Sequence, residues 1–464
     1  MNPGRWILGA ALAVAAGCGE NPGVADPSGP LRIETSQVEP NPANALSAVV
    51  TLRVRGADSA AVRFGTAGAD PDQLTPAAIP RAGTAVVPVL GLMPETTYLL
   101  EALAWSGGAS TSGERLHFTT GALPEDLPSY TAGGPDPTPG YVAFAAAPYL
   151  VVIDNEGRIV WYHRYASGPG LNFQAQSTGR WAFRPVPGPD DLSTWIEIDP
   201  LGRETRTLGC ARGLPARFHD LRVEPDGSYW ILCDETRTLD LSELDGHPEA
   251  SVTGTAVQHV SADGEVLFEW SPFDHFAITD LEVGERRGPT VNWTHGNALD
   301  LDTDGHLLVS FRNLSEVTKI DRRTGGVIWR LGGLANEFSF PGGEAPAFLR
   351  QHSVRAPGPG HLLLLDNLGQ AGDTRARRFE YDAGTRTVHG LGSWGTSPPV
   401  VAELGGTVQP LPGGRILVAF GSGARVAEFD EAGNVVWEIH GDPGYIFRAQ
   451  RIRSLYRPGT VYPR

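Results

Sequence analysis

Three histidines occupy equivalent positions ahead of predicted hairpin turns. His219, His295 and His352 each stand eight to ten residues before a turn glycine, and Arg312 follows the turn of the second of these hairpins. Because the two strands of a hairpin are antiparallel, a residue eight to ten positions before the turn and one seven positions after it both lie at the end of the hairpin opposite the turn. Imidazole can act as a nucleophile or as a general acid and base near neutral pH, and guanidinium stabilises developing negative charge. The spacing therefore predicts one catalytic site that contains all four side chains.

Two kinds of predicted hairpin alternate from residue 140 onward. Six outer hairpins join an apolar run and a small or acidic residue, through a glycine turn, to a second apolar run that often holds tryptophan. Five inner hairpins turn at Thr178-Gly179, Asp226-Gly227, Asp304-Gly305, Pro359-Gly360 and Gly413-Gly414. Hairpin pairs that repeat every ~45 to 60 residues are the signature of a β-propeller. The pattern predicts an all-β chain with a six-bladed β-propeller over residues 140–464, whose innermost strands begin at the histidines.

The first blade lacks an inner hairpin. We expect residues 141–144 and a late strand at 449–455 to complete it, which closes the propeller and removes an exposed sheet edge. Short alternating runs over residues 31–121 predict a small β-sandwich, in which residues 92–98 resemble the tyrosine corner of a fibronectin type III domain. The proline-rich residues 122–139 are predicted to form a linker.

The composition excludes several classes of protein. With 37 basic and 53 acidic side chains the net charge is −16, which offers no attraction to a nucleic-acid backbone. A hydrophobic content of 41% with 19% charged residues is typical of a globular chain with sizeable cores. The 58 glycines and 38 prolines would interrupt long helices, which favours β-structure rich in turns.

The first residues resemble an export signal. An apolar run over residues 6–16 follows an arginine; it is short for a membrane span but suits a signal peptide. The run ends in Ala15-Ala16-Gly17-Cys18, which resembles the lipobox of bacterial lipoproteins. We expect a signal peptide over residues 1–18, a lipid on Cys18, a flexible tether over residues 19–30, and a periplasmic or cell-surface lipoprotein that meets the membrane only through its anchor. Ordinary cleavage beside an incidental cysteine is the alternative.

Cys210 and Cys233 are the remaining cysteines. In an oxidising compartment they could form a disulfide that stabilises the fold by constraining the intervening loop. Two reduced, buried thiols are the alternative that the sequence leaves open.

Several segments around the candidate residues resemble one known family. They are Phe218-His219-Asp220-Leu221, Asn292-Trp293-Thr294-His295-Gly296-Asn297, Ser310-Phe311-Arg312, Gln351-His352-Ser353 with Leu365-Asp366-Asn367, and Arg448-Ala449 with Ile452-Arg453. In order and spacing they are similar to the bacterial arylsulfate sulfotransferases that work without a nucleotide sulfate donor. Some members form a cysteine pair shortly before the sulfurylated histidine, whereas here no cysteine lies between His295 and His352.

The resemblance implies a six-bladed propeller preceded by a small sandwich, and transfer of a sulfuryl group from a phenolic sulfate ester to a phenolic acceptor. His352 matches the histidine that carries the sulfuryl group, while His219, His295 and Arg312 match the groups around its oxygens. Such a ping-pong reaction needs no metal and no other cofactor.

Small aromatic molecules are the expected partners, a sulfate ester as donor and a phenol as acceptor. We expect Asn297, Trp293 and Asn367 to contact them, although Trp293 could equally pack inside a blade. The sequence leaves open whether the chain forms a homodimer.

Two other functions fit the same residues. The three histidines could hold a divalent metal in a propeller hydrolase, or the chain could be a non-catalytic, ligand-binding propeller lipoprotein.

Overall fold

The computed structural model describes residues 29–165, 168, 170–186, 193–341, 348–369 and 372–459. The predicted signal peptide, Cys18 and most of the tether lie outside the described residues. Within those residues the regular structure is β-strand with five short 3-10 helices, at Ser242–Leu244, Pro272–Asp274, Ile278–Asp280, Val283–Glu285 and Pro412–Gly414. No helix in this part of the chain is long and apolar enough to cross a membrane. The described chain is therefore all-β, as its composition predicted.

Contacts divide the chain into two compact units. One comprises residues up to Glu39, Val49–Val87 and Thr97–Phe118, and the other comprises Pro40–Ala48, Pro88–Thr96 and Thr119 onward. The first seven strands are β1 (Arg32–Pro40), β2 (Ser47–Arg55), β3 (Ser59–Thr66), β4 (Gln73–Leu74), β5 (Thr84–Leu90), β6 (Thr97–Ser106) and β7 (Ala109–Thr119). They form one sheet in the order β1-β2-β5 and another in the order β4-β3-β6-β7. Ala85 and Val87 are buried while Val86 between them is exposed, the alternation of a half-buried strand.

Most of the remaining strands are short and deeply buried. They are β8 (Ala132–Gly133), β9 (Tyr141–Ala146), β10 (Tyr149–Ile153), β11 (Ile159–Arg164), β12 (Phe173–Ala175), β13 (Trp181–Phe183), β14 (Trp195–Ile198), β15 (Glu204–Leu208), β16 (Ala216–Val223), β17 (Tyr229–Leu239), β18 (Ala250–Val260), β19 (Val266–Trp270), β20 (Thr290–Asn292), β21 (Gly296–Leu301), β22 (Leu307–Phe311), β23 (Glu316–Ile320), β24 (Val327–Gly332), β25 (His352–Arg355), β26 (His361–Asp366), β27 (Arg375–Asp382), β28 (Thr387–Trp394), β29 (Thr407–Pro410), β30 (Ile416–Ala419), β31 (Val426–Phe429), β32 (Val435–Ile439) and β33 (Ala449–Ile452).

These strands form six sheets, each with four antiparallel strands. Sheet 1 has the order β33-β9-β10-β11, and sheets 2 to 6 are β12 to β15, β16 to β19, β21 to β24, β25 to β28 and β29 to β32. Strand β20 joins sheet 3 by parallel pairing with β18, and β8 joins sheet 6 beside β32. Ala449 of β33 lies opposite Phe144 of β9, so the C-terminal segment completes the first sheet.

One type of turn recurs between outer strands. In sheet 1 the amide of Gly157 donates to the carbonyl oxygen of Asp154, whose carboxylate accepts two more backbone amides. Asp199 and Gly202 repeat this arrangement in sheet 2. The two glycines have φ of 90° and 81°, a conformation that glycine adopts without steric cost. These turns explain the Asp-x-x-Gly segments that punctuate the sequence.

The six sheets contact one another in a closed cycle. First strands touch from β33 to β12, and from β16 through β21, β25 and β29 back to β33. Residues that flank β12 complete the cycle by hydrogen bonds to β16. Between β12 and β16, Oε1 of Gln176 accepts the amide of Val223 over 3.0 Å. Nε1 of Trp437 in sheet 6 donates to the carbonyl oxygen of Asn155 in sheet 1 over 2.8 Å. This cyclic, propeller-like contact pattern places the starts of the first strands around a common axis.

The predicted linker is built into the second unit. Ala132 and Gly133 pair with β32, and the buried carboxylate of Glu428 accepts hydrogen bonds from the amide and hydroxyl of Thr138. A buried carboxylate requires such partners. The sequence did not reveal this role because the segment has no periodicity and Glu428 lies 290 residues further along the chain.

Candidate active site

The three histidines lie at irregular points of first strands. Strand β16 changes register against β17 next to His219, and β25 changes register directly after His352. His295 immediately precedes β21, which shifts register after its first residue. His295 and Ser353 also have φ of 48° and 58°, a left-handed conformation that costs a residue other than glycine about 1 to 3 kcal/mol. Such bulges and strain redirect side chains and are common beside active sites.

One cavity of about 440 Å³, the active-site cavity, contains the three histidines and Arg312. Nε2 of His295 lies 3.3 Å from Nε2 of His219, and the ring centroids of His219 and His352 are 6.4 Å apart. The structure thus brings together the four residues that spacing grouped. The rest of the wall is formed by Leu171, Phe218, Leu404, Gly405, Tyr445 and Phe447.

A hydrogen-bond network fixes the tautomer of His352. Nδ2 of Asn367 donates to the carbonyl oxygens of Ala402 and Gly405 over 2.7 and 2.9 Å, which orients its amide. The amide oxygen of Asn367 therefore faces His352 and lies 2.8 Å from Nδ1. Because an amide oxygen can only accept, neutral His352 carries its proton on Nδ1 and has a free lone pair on Nε2. An imidazole in this state is a nucleophile.

A second chain of hydrogen bonds links the other two histidines. Nδ2 of Asn292 donates to Nδ1 of His295 over 2.7 Å, so neutral His295 carries its proton on Nε2 and donates it to Nε2 of His219. The proton of His219 then resides on Nδ1, which is buried without a partner among the described residues. A buried donor left unpaired costs about 1 to 3 kcal/mol, so this N–H group is available for a ligand oxygen.

Burial keeps all three imidazoles neutral. It lowers the pKa of His352 to about 4, that of His295 to about 2, and that of His219 well below its usual range. The positive charge of Arg217 lowers the pKa of His219 and His295 further, and that of Arg312 acts on all three histidines. At neutral pH the active-site cavity therefore holds three neutral imidazoles beside one cation.

Arg312 supplies the positive charge. Its Nη1 donates to Oδ1 of Asn313 over 3.0 Å and its Nη2 donates to the carbonyl oxygen of Glu403 over 3.1 Å. Nε of Arg312 is buried and has no partner among the described residues. Burial lowers the pKa of Arg312 from its usual value, but a guanidinium stays protonated at neutral pH. This free N–H group suits an anionic oxygen.

Sequence reasoning missed the aromatic wall. Phe218 stacks on His219 with ring centroids 4.0 Å apart, and Phe447 meets His219 and His352 edge-on at 5.8 and 6.4 Å. At Gly405, which has φ of 68°, a Cβ atom would collide with the ring of Phe447. Phe218 begins one segment that resembles the family, and Phe447 directly precedes another. Those positions were the signal for the aromatic wall in the sequence, which does not show the direction in which a ring points.

The three residues predicted to contact substrate lie outside the lining of the active-site cavity. Trp293 is 1% exposed and packs against Phe273 in a hydrophobic cluster, which accounts for its bulk. Asn297 is 2% exposed, and its amide donates to the carbonyl oxygen of Gln351 over 2.8 Å. Neither residue lines the active-site cavity. Asn367 bonds to His352 and to backbone carbonyl groups, so it orients the histidine.

Cys210 and Cys233 form a disulfide with an S–S distance of 2.02 Å. Cys233 lies on β17 opposite Ala216 of β16. The disulfide therefore ties the segment before β16 to the hairpin that carries His219, and of the two states that the sequence left open, the structure has the bonded one.

The arrangement suits attack on an aryl ester of an oxyacid. It offers one imidazole lone pair on His352, two free N–H donors on His219 and Arg312, and aromatic walls. Donors that meet charge as it develops, beside a nucleophile and away from bulk water, are the elements of group-transfer catalysis. In the described part of the chain, no three histidine, cysteine, aspartate or glutamate side chains are placed to hold a metal ion.

Comparison with solved structures gives similarities at low identity. The chain is similar to a protein of unknown function from Bacteroides caccae, with 17% identity, coverage of 68% of this chain and 100% of that one, and a TM-score of 0.44. It is also similar to virginiamycin B lyase from Staphylococcus aureus (10% identity, 66% and 88% coverage, TM-score 0.35) and to regucalcin, a calcium-binding protein from Agrobacterium tumefaciens (16%, 70% and 96%, TM-score 0.33). No curated protein matches the sequence.

A family model of the arylsulfotransferases matches residues 215–442. This range contains His219, His295, Arg312 and His352, the four residues that meet in the active-site cavity. The resemblance to the arylsulfotransferase family that the sequence shows is confirmed over this range.

Proposed function

We propose that this chain is an aryl sulfotransferase that moves a sulfuryl group from a phenolic sulfate ester to a phenolic acceptor through a sulfo-histidine on His352. The observation that carries the proposal is the state of His352. Asn367 holds it with a protonated Nδ1 and a free Nε2, burial keeps it neutral, and Arg312 shares its cavity. Together these features describe an activated nucleophile beside an oxyanion site.

In the first half-reaction Nε2 of His352 attacks sulfur. The N–S bond forms, the bond between sulfur and the aryl oxygen breaks, and the aryl group leaves as phenolate, which takes a proton from solvent. Nε of Arg312 and Nδ1 of His219 donate to the sulfuryl oxygens. The sulfurylated ring becomes cationic, and the amide oxygen of Asn367 stabilises it through the Nδ1 proton.

In the second half-reaction the oxygen of an acceptor phenol attacks the same sulfur. The N–S bond breaks and returns its electron pair to Nε2 of His352, and the phenol proton passes to solvent through the open end of the cavity. Because donor and acceptor use one cavity in turn, the kinetics are of the ping-pong type.

The size and lining of the cavity favour a small aromatic substrate. A volume of about 440 Å³ lies within the range of small-molecule sites. Phe218 and Phe447 present two rings whose centroids are 5.5 Å apart and nearly perpendicular, at 70°. An aryl group can pack edge-to-face or offset against them.

Architecture and location complete the proposal. We infer that the six sheets are the blades of a six-bladed propeller, which the closed cycle of contacts supports. We also infer that residues 31–121 form a fibronectin type III-like sandwich, which the two sheet orders support.

The leader sequence and the disulfide favour an exported, periplasmic or cell-surface lipoprotein that is anchored through Cys18. Labelling with palmitate that survives Cys18→Ser would refute the anchor.

The test is incubation with a chromogenic aryl sulfate, with and without a phenol. Without acceptor we expect a burst of phenol equal to the enzyme present, followed by a stall, and one added sulfuryl group on the peptide that contains Gln351-His352-Ser353. With acceptor we expect continuous turnover. No burst from the folded protein, or an adduct on another residue, would refute the proposal.

A further inference from the structure

A second cavity lies at the other end of the same first strands. This channel cavity has a volume of about 620 Å³ and is lined by residues that follow each catalytic histidine by three to five positions, namely Arg222, Asp300 and Arg355. Among the described residues, none lines both cavities. The two spaces are therefore separate although they share their strands.

The boundary between the cavities falls between neighbouring residues of the chain. His219 lines the active-site cavity and Asp220 lines the channel cavity, while Phe447 lines the former and Arg448 the latter. The segments that contain His219 and Phe447 thus pass from one cavity to the other at the same point. Side chains, most of which line the channel cavity, form a layer on the channel side of the boundary.

This layer is a hydrogen-bonded septum made of Asn172, Asp220, Arg355 and Arg448. Nε of Arg448 donates to Oδ1 of Asn172 over 2.8 Å, and its Nη2 donates to Oδ1 of Asp220 over 3.0 Å. Oδ2 of Asp220 accepts Nη1 of Arg355 over 3.1 Å. Nδ2 of Asn172 and Nη2 of Arg448 both donate to the carbonyl oxygen of His219, over 2.7 and 3.1 Å, which attaches the septum to the active site.

Burial makes the septum costly to open. Asn172, Asp220 and Arg448 are exposed by 0%, 3% and 7%. Burial lowers the pKa of Arg448 to about 10, so it stays cationic at neutral pH. A buried charge separated from its partner is strongly unfavourable, which holds Arg448 against Asp220.

We propose that the septum decides between phenol and water as the acceptor, because it keeps water of the channel cavity away from the sulfuryl group on His352. The inference rests on the proposed function. A phenol that fills the active-site cavity displaces the water at its open end, which leaves the channel cavity as a second source of water. Water arriving there would attack sulfur, break the N–S bond, and release sulfate and protons, which wastes the intermediate.

The experiment measures, at saturating phenol, the fraction of transferred sulfuryl that appears as inorganic sulfate. Arg448→Ala opens the septum and should raise this fraction by about tenfold. Arg448→Lys, which restores a long cationic side chain, should lower it toward the wild-type value. Arg378→Ala is the matched control, because Arg378 also lines the channel cavity but lies outside the septum. A variant that is merely destabilised loses both products in proportion and leaves the fraction unchanged.

Asn172→Ala tests the same layer with a smaller change and should raise the fraction as well. An unchanged fraction in a folded, transferring Arg448→Ala protein would overturn the proposal. The wild type alone can also overturn it, if its sulfate fraction stays high at saturating phenol. Failure of the wild type to release phenol from any aryl sulfate is a different result, and it counts against the proposed function.

Discussion

The two cavities of the second unit use the same strands but treat charge in opposite ways. In the channel cavity both aspartates are paired with arginines: Arg355 lies 3.1 Å from Asp220, and Arg222 lies 2.9 Å from Asp300. In the active-site cavity the described hydrogen bonds of Arg312 go to neutral oxygens, and the imidazoles beside it are neutral. A positive charge that is not compensated in an apolar setting acts strongly on an incoming anion. The active-site cavity therefore differs from the channel cavity in that no carboxylate of the described residues lines it beside Arg312.

The largest effect should come from the nucleophile. His352→Asn keeps a polar group of similar size but removes the lone pair that attacks sulfur, so turnover should fall by about a thousandfold or more. Burst and peptide adduct should both vanish, whereas His219→Asn should slow the burst without moving the adduct. Substantial transfer by a folded His352→Asn protein would show that the active-site cavity works without this residue.

Arg312→Lys should give the next largest effect. Lysine keeps the charge but lacks the Nε donor and the planar fork that suits a sulfuryl group. We expect kcat to fall by about tenfold, equivalent to about 1.4 kcal/mol. Steady-state kinetics with one donor and one acceptor measure it. An unchanged kcat would mean that the positive charge at position 312 is sufficient and that the N–H donors of the guanidinium group are not needed.

Asn367→Leu tests the positioning of His352. It removes the acceptor for Nδ1, so the ring can adopt the other tautomer. We expect kcat to fall by about fivefold, which corresponds to the loss of one hydrogen bond of about 1 kcal/mol. The bond from Asn367 raises the pKa of His352, so its loss should not move the acidic limb of activity upward. A limb that moves toward higher pH would contradict the network, because it would mean that His352 had lost its burial rather than one hydrogen bond.

The pH dependence separates a buried histidine from an exposed one. Burial lowers the pKa of His352 to about 4, so the free enzyme should keep its nucleophile neutral until the pH falls to that region. The acidic limb of kcat/KM should therefore lie near pH 4, well below the usual pKa of histidine at about 6.5. The unfolded chain binds protons at higher pH than the folded one, so stability should decline as pH falls from about 6.5 toward 4. Activity measured within the folded range checks the first statement, and unfolding measured as a function of pH checks the second. A limb near the usual histidine pKa would contradict the burial of His352.

The sequence predicted the cluster but not its surroundings. Register within hairpins was enough to group His219, His295, His352 and Arg312, because the position of a residue along a strand depends only on local spacing. It could not show that Trp293 turns into a hydrophobic cluster, since Trp293 lies between β20 and β21, outside the alternation of a regular strand.

Contacts distant along the chain were equally hidden. Asn172 meets Arg448 across 276 residues, and Thr138 meets Glu428 across 290. Neither pair shares a motif, so only the folded chain reveals them. The repeated hairpins could be predicted from the sequence because each is a local pattern of apolar runs and turn glycines.

The smallest effect is expected from a histidine at the other end of the strands. His361 lines the channel cavity, where its Nδ1 lies 2.7 Å from the carbonyl oxygen of Pro359. His361→Asn makes the same chemical change as His352→Asn, but on the far side of the septum and away from the uncompensated charge of Arg312. We expect kcat, burst size and adduct position to stay within about twofold of wild type, since substitutions away from the reacting atoms usually cost little. A large loss of activity in this variant, measured on protein with an unchanged unfolding temperature, would mean that the two cavities are coupled and that their separation by the septum is incomplete.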